Sequence, residues 1–166
     1  MASVRAKLGG ALALVAATSV AIAAVGIYGT QRFSGALSET ATANSAMRQH
    51  MIGDMMHDAL RGDVYKALID AAAGVTNAKP VETAANEHAA TFRLMVAQNK
   101  ALPVSGEIRQ MLDALDKPLK DYIDQAQRLV GLAFRNPDAA RAELEQFNLR
   151  FAVLEDAMGK HTPLNV

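Results

Sequence analysis

The sequence predicts an all-α protein, an antiparallel up-down-up-down four-helix bundle whose first helix runs on directly from an N-terminal transmembrane helix. Three observations carry that expectation. The stretch Leu8 to Thr30, LGGALALVAATSVAIAAVGIYGT, holds no charged residue. From Ser34 onward apolar residues recur every three or four positions in four successive segments, the spacing that lines one face of a helix. The residues between them are mainly Ala, Leu, Met, Glu, Gln, Lys and Arg, which lose little side-chain entropy in a helix, while β-branched runs bounded by turns are nearly absent.

Composition narrows the function classes. Lys plus Arg number 17 and Asp plus Glu number 17, and no basic block with interleaved aromatics occurs, so a nucleic-acid partner has no electrostatic footprint. With no cysteine there is no disulfide framework, thiolate zinc site or haem-attachment motif. No nucleophile with an adjacent base, phosphate-cradling glycine loop or paired-carboxylate site can be argued, so the expectation is a protein that is not an enzyme and has no cofactor.

In chain order, residues 1–7 form a cytoplasmic N-terminus and residues 8–30 a membrane span. At about 1.5 Å per residue that span covers a hydrocarbon core of about 30 Å. Arg5, Lys7 and the α-amino group precede it, and the far flank carries only Arg32 and then Glu39, so the positive-inside bias keeps the N-terminus cytoplasmic and exports the remainder of the chain. Ala21-Ile22-Ala23 also fits the small-x-small pattern of signal-peptide cleavage. Apolar character running on through Val25, Ile27 and Tyr28 favours the uncleaved anchor, and either way the bundle ends up outside the cytoplasm.

The bundle is expected over residues 34–161, with a tail at 162–166. Its first helix, Ser34 to Ala73, carries the stripe Met56, Leu60, Val64, Ala67, Ala71 and Val75 and ends at Gly74, Thr76, Asn77 and Pro80. The second begins after Pro80, with the stripe Val81, Ala85, His88, Phe92, Met95 and Leu102. Pro103, Ser105 and Gly106 turn the chain. The third keeps its period through Ile108, Leu112, Leu115, Leu119, Tyr122, Ala126, Leu129 and Ala133, which predicts a kink at Pro118 in a continuous helix. Asn136 caps the last helix with Pro137 at its first position, and Ala140, Leu144, Phe147, Phe151, Leu154, Met158 and His161 form its stripe.

Two features of the first helix exceed what one bundle interior needs. A second row, Leu37, Ala41, Asn44, Met47, Met51 and Met55, predicts a homodimer interface, with Asn44 as the polar residue that fixes register. His50, Asp54, His57 and Arg61 stand at i, i+4, i+7 and i+11, which predicts one shared edge between the rows and a ligand site there. Two imidazoles and a carboxylate suit zinc, copper or nickel, but ligands so spread on one straight helix predict a solvated or dimer-facing ridge and no metal site. The methionines read as adaptable packing rather than copper ligands. His50 and His57 at the margin of the row predict pairing sensitive to pH near 6.5.

An anchor running into a long helix, an exported bundle and a last helix heading back to the membrane together resemble the sensor module of bacterial methyl-accepting chemotaxis proteins. MMHDALRGDVYKAL, Met55 to Leu68, is similar to the first sensor helix of such receptors, and FNLRFAVLEDAM, Phe147 to Met158, to the last. Related bundles serve histidine kinases and cyclases. The resemblance implies a dimeric receptor of a bacterial inner membrane, its bundle periplasmic, for a small molecule or a periplasmic binding protein, with carboxylates held bidentately by arginines. Arg61 is the candidate here, its competing partner being Asp58 or Asp54 on the same helix. Receptors of this kind continue into a second membrane span, a HAMP linker and a signalling coiled coil. The expectation is therefore a fragment or truncated receptor without signalling output of its own. A secreted periplasmic bundle that binds a metal or small molecule is the alternative, and a helical membrane adaptor is a third reading.

Overall fold

No proline occurs before Pro80, and the computed structural model, which describes residues 3–159, holds Val4–Ala72 as one helix, α1. The remaining described helices are α2 (Lys79–Ala101), α3 (Gly106–Ala114), α4 (Asp116–Arg135), α5 (Pro137–Ala142) and α6 (Leu144–Gly159). The fold is all-α, with no strand among the described residues. His161 and the tail expected at 162–166 lie outside the described residues, as do residues 1 and 2. The chain divides into two compact units, Met1–Ala41 and Thr42–Val166.

The first unit is the N-terminal part of α1. It contains a stretch long and apolar enough to cross a membrane, with the side chains of that stretch exposed. Several of its hydroxyls bond back to carbonyls of the same helix. Thr18 and Ser19 both donate to the Val15 carbonyl at 2.9 Å, and Thr30 donates to the Gly26 carbonyl at 2.8 Å. Such back-bonding is how a polar side chain is accommodated where water is absent. At the end of the apolar stretch Arg32 Nε donates to the Tyr28 hydroxyl at 3.0 Å, pairing an aromatic and a cation of the sort found at membrane interfaces.

In the second unit several helix ends have a local chemical cause. Gly74 adopts φ 79°, which L side chains rarely accept. Val75 N–H donates to the Asp70 carbonyl at 2.9 Å and Gly74 N–H to the Ala71 carbonyl at 3.1 Å, a Schellman motif that closes α1. The Ser105 hydroxyl accepts from Ile108 N–H at the start of α3, and Asn136 Oδ1 accepts from Ala139 N–H at the start of α5, with Pro137 at the first position. Arg109 donates to the Lys100 and Leu102 carbonyls, tying the end of α2 to α3.

At Pro118 the structure differs from the expected kink. The helix is interrupted at Leu115, because Pro118 has no N–H for the Ala114 carbonyl, and the chain closes instead through Leu115 N–H to Leu112 at 3.3 Å. Pro118 then falls in the first turn of α4, where its missing donor costs nothing. Leu115 and Leu119 both remain buried, so the apolar stripe stays in phase across the break. The last stripe is likewise divided, at Glu143 between α5 and α6.

Buried side chains come from every long element. They include Leu60, Val64 and Ala67 of α1, Val81, Ala85 and Phe92 of α2, Tyr122, Ile123 and Leu129 of α4, and Phe147, Phe151, Leu154 and Met158 of α6. Named contacts tie these helices together within the second unit: Gly53 lies against Phe92, Tyr122 reaches the His57 carbonyl, and Tyr65 meets Asn148.

Candidate functional site

The row Gly53, His57, Leu60, Val64 and Ala67, spaced alternately four and three, is the inward face of α1, and all five residues are buried. This divides the edge expected from His50, Asp54, His57 and Arg61. His57 is 1 % exposed and lies inside the core, His50 and Arg61 are half-buried at its flanks, and Asp54 faces solvent. Gly53 lies against Phe92 of α2: a Cβ at that position would stand 3.4 Å from the ring, in ordinary van der Waals contact.

Around His57 the fold builds a box of aromatic rings. The imidazole stacks on Phe151 with centroids 3.9 Å apart and planes 7° apart, meets Tyr122 edge-on at 4.9 Å, and lies 6.2 Å from Phe92. Tyr122 in turn stacks on Phe147 at 5.3 Å. The Arg61 guanidinium sits 3.9 Å from the Phe151 centroid. Two planar groups so close to one ring cannot share a face, so Phe151 is held between His57 and Arg61. Arg61 also pairs with Asp58 at 3.0 Å, which holds the fork while it covers the ring.

Burial decides the protonation of this box. It pushes His57 down to about 4, against the attraction of Asp58 and Asp54 and with the repulsion of Arg61. Among the described residues His57 Nε2 is buried with no hydrogen-bond partner, which fits a neutral ring presenting no charge to the core. The Tyr122 phenol is pushed up, again by burial, and stays a donor to the His57 carbonyl at 2.7 Å. The expectation of a pH response near 6.5 carried by His57 at the helix surface therefore changes character. Its ring is in the core and titrates far lower.

This shift makes stability depend on pH, with a sign set by the two states. The unfolded imidazole titrates near 6.5 and the folded one near 4, so between those values the unfolded chain binds more protons. The contribution is complete above 6.5, falls as pH drops through that window at up to about 1.4 kcal/mol per pH unit, and is lost below 4. Chemical denaturation of the full chain in detergent at pH 7 and pH 4.5 should show this loss. His57→Phe should shrink the difference between the two pH values.

The other histidine of the core region is held by an acid. His88 Nδ1 lies 2.7 Å from Asp63 Oδ2, joining α2 to α1 by a pairing that side-chain spacing within one helix does not announce. Among the described residues no three His, Asp or Glu side chains gather as a metal-binding group. In the row expected to pair two chains, Leu37 and Ala41 are exposed in the first unit. In the second, Asn44, Met51 and Met55 are exposed and Met47 is half-buried. Met51 and Met55, 59 % and 63 % exposed, are large apolar side chains left facing water.

The sequence alone announces neither Phe151 against Arg61 nor Asp63 against His88, although the four-three spacing of Gly53, His57 and Leu60 marks the face that carries His57 inward. Compared with protein-family models, curated proteins and solved structures, the chain matches none.

Proposed function

We propose that this chain is the extracytoplasmic sensing part of a membrane-anchored, chemotaxis-type receptor, a four-helix bundle that acts as a dimer and reads a small-molecule stimulus. One observation carries the reading. A single helix, α1, contains both the apolar stretch suited to a membrane and the inward face that closes the core of the second unit. A stimulus that alters how α1 packs in the core thereby acts on the same helix that enters the membrane.

The up-down-up-down arrangement is supported by pairings that run in opposite directions. Along α1 and α2, Gly53 meets Phe92 while Asp63 meets His88. Along α2 and α4, Arg93 pairs with Asp124 and Lys100 with Asp116. Along α4 and α6, Asp121 faces Arg150 and Arg128 pairs with Glu143, which precedes α6. The ring closes with Arg61 on Phe151 and Tyr65 on Asn148 between α1 and α6. Dimer formation is supported by the exposed methionines of α1, since solvent-facing apolar rows commonly mark an interface.

The alternative, a secreted bundle that binds a metal or small molecule, is favoured by Ala21-Ile22-Ala23. Sequencing the mature protein's N-terminus separates the two. The receptor reading predicts a start at or near Met1, and a start at Ala24 removes the anchor and with it the receptor.

A further inference from the structure

Between α2 and α4 lies a groove of about 240 Å³ lined by Arg93, Val96, Ala97, Lys100, Asp116, Leu119 and Lys120. Its floor is aliphatic and its ends differ in charge. At one end Arg93 and Lys120 share a single carboxylate, Asp124. Arg93 gives it only one contact, at 3.5 Å, so among the described residues most of its donors remain for another acceptor. At the other end one ammonium, Lys100, is held by two carboxylates, Asp116 at 2.7 Å and Asp113 at 3.0 Å. The nearby Arg109 is taken up by the closing carbonyls of α2. Burial would lower Lys100, but hydrogen bonds to Asp116 and Asp113 raise it, so it stays charged and both carboxylates remain fixed beside it.

We propose that this groove binds a small zwitterion whose carboxylate and ammonium are separated by an aliphatic chain, such as an ω-amino acid or a short peptide. The carboxylate sits between Arg93 and Lys120, and the ammonium joins Asp116 and Asp113. Val96, Ala97 and Leu119 cover the chain between them. The spacing sets the length: Lys120 lies one helical turn from Asp116 and Arg93 two turns from Lys100, so the charges stand about 6 to 10 Å apart. An α-amino acid is too short for both ends. The assignment rests on the sensing role proposed above, because it names the class of stimulus.

The test uses 6-aminohexanoate, whose extended length falls in that range, with hexanoate and hexylamine as single-charge controls. The full chain is held in lipid nanodiscs, and binding is read by isotope-edited NMR at the methyl groups of Ala97 and Leu119 and by calorimetry. Saturable binding of 6-aminohexanoate with shifts at those methyls, and binding about tenfold or more weaker for each control, is expected. Arg93→Gln and Lys120→Gln should each weaken it by about tenfold with helicity unchanged. Equal affinity for all three compounds, no saturable binding, or binding indifferent to both substitutions overturns the site. Because binding is read directly, a filled groove in a chain without an anchor would sink the receptor reading and leave the site standing, while an empty groove in an anchored chain does the reverse.

Discussion

Tyr122→Ala should destabilise the second unit by about 3–5 kcal/mol, the cost of emptying a large, fully buried aromatic position. Tyr122 sits where α4 meets α1 and α6, against His57, Phe147 and Phe151, and its hydroxyl joins the His57 carbonyl. Set against the roughly 5–15 kcal/mol typical of a folded domain, that loss leaves little margin. Tyr122→Phe keeps the rings and removes only the hydrogen bond. As a carbonyl within α1, the acceptor keeps its helical partner, and the cost should be about 1 kcal/mol. Urea unfolding monitored by circular dichroism measures both. Near-equal effects of the two substitutions would mean that the hydroxyl, rather than the ring packing, holds α4 to α1.

The second large effect concerns association. Met51→Glu with Met55→Glu places two carboxylates on the exposed row of α1, and the dimer proposed through that row should weaken by at least about a hundredfold, or roughly 3 kcal/mol. The fold of each chain should be untouched. Both positions face solvent, and Glu is as good a helix former as Met, so each change should alter stability by no more than about 0.5 kcal/mol. Sedimentation of the full chain in detergent reports association, and far-ultraviolet circular dichroism reports helicity. Unchanged association with both glutamates present would remove this row from the interface.

How far the sequence led can be judged residue by residue. The helical class was legible because periodicity acts locally: Leu60, Val64 and Ala67, or Phe147, Phe151 and Leu154, can be assigned to one face from spacing alone, and all are buried. Helix ends with their own chemistry were legible for the same reason, as Gly74 and Asn136 with Pro137 show. The site was less so. His57 and Gly53 interrupt the apolar pattern by composition while belonging to it by spacing, so a search for apolar residues chose Met56 and left His57 at the margin. Gly53 has no side chain to declare that it lies against Phe92. The partners of Arg61 and Asp63, Phe151 and His88, stand far along the chain and depend on how the helices are registered, which no single helix encodes. The break at Leu115 was hidden because the apolar stripe continues through it.

In the dimer proposed above, α1 pairs two copies along the row that contains Met47 and Met51. Single Met47→Cys and Met51→Cys variants test it against a clean background, since the native chain has no cysteine. Each is expressed in intact membranes, exposed to a mild oxidant and resolved by non-reducing electrophoresis. A disulfide-linked dimer is predicted at both positions, because facing residues of paired helices come within the Cα separation of about 4.4–6.8 Å that a disulfide requires. Abundant protein in the membrane with no cross-linked dimer at either position would contradict the account.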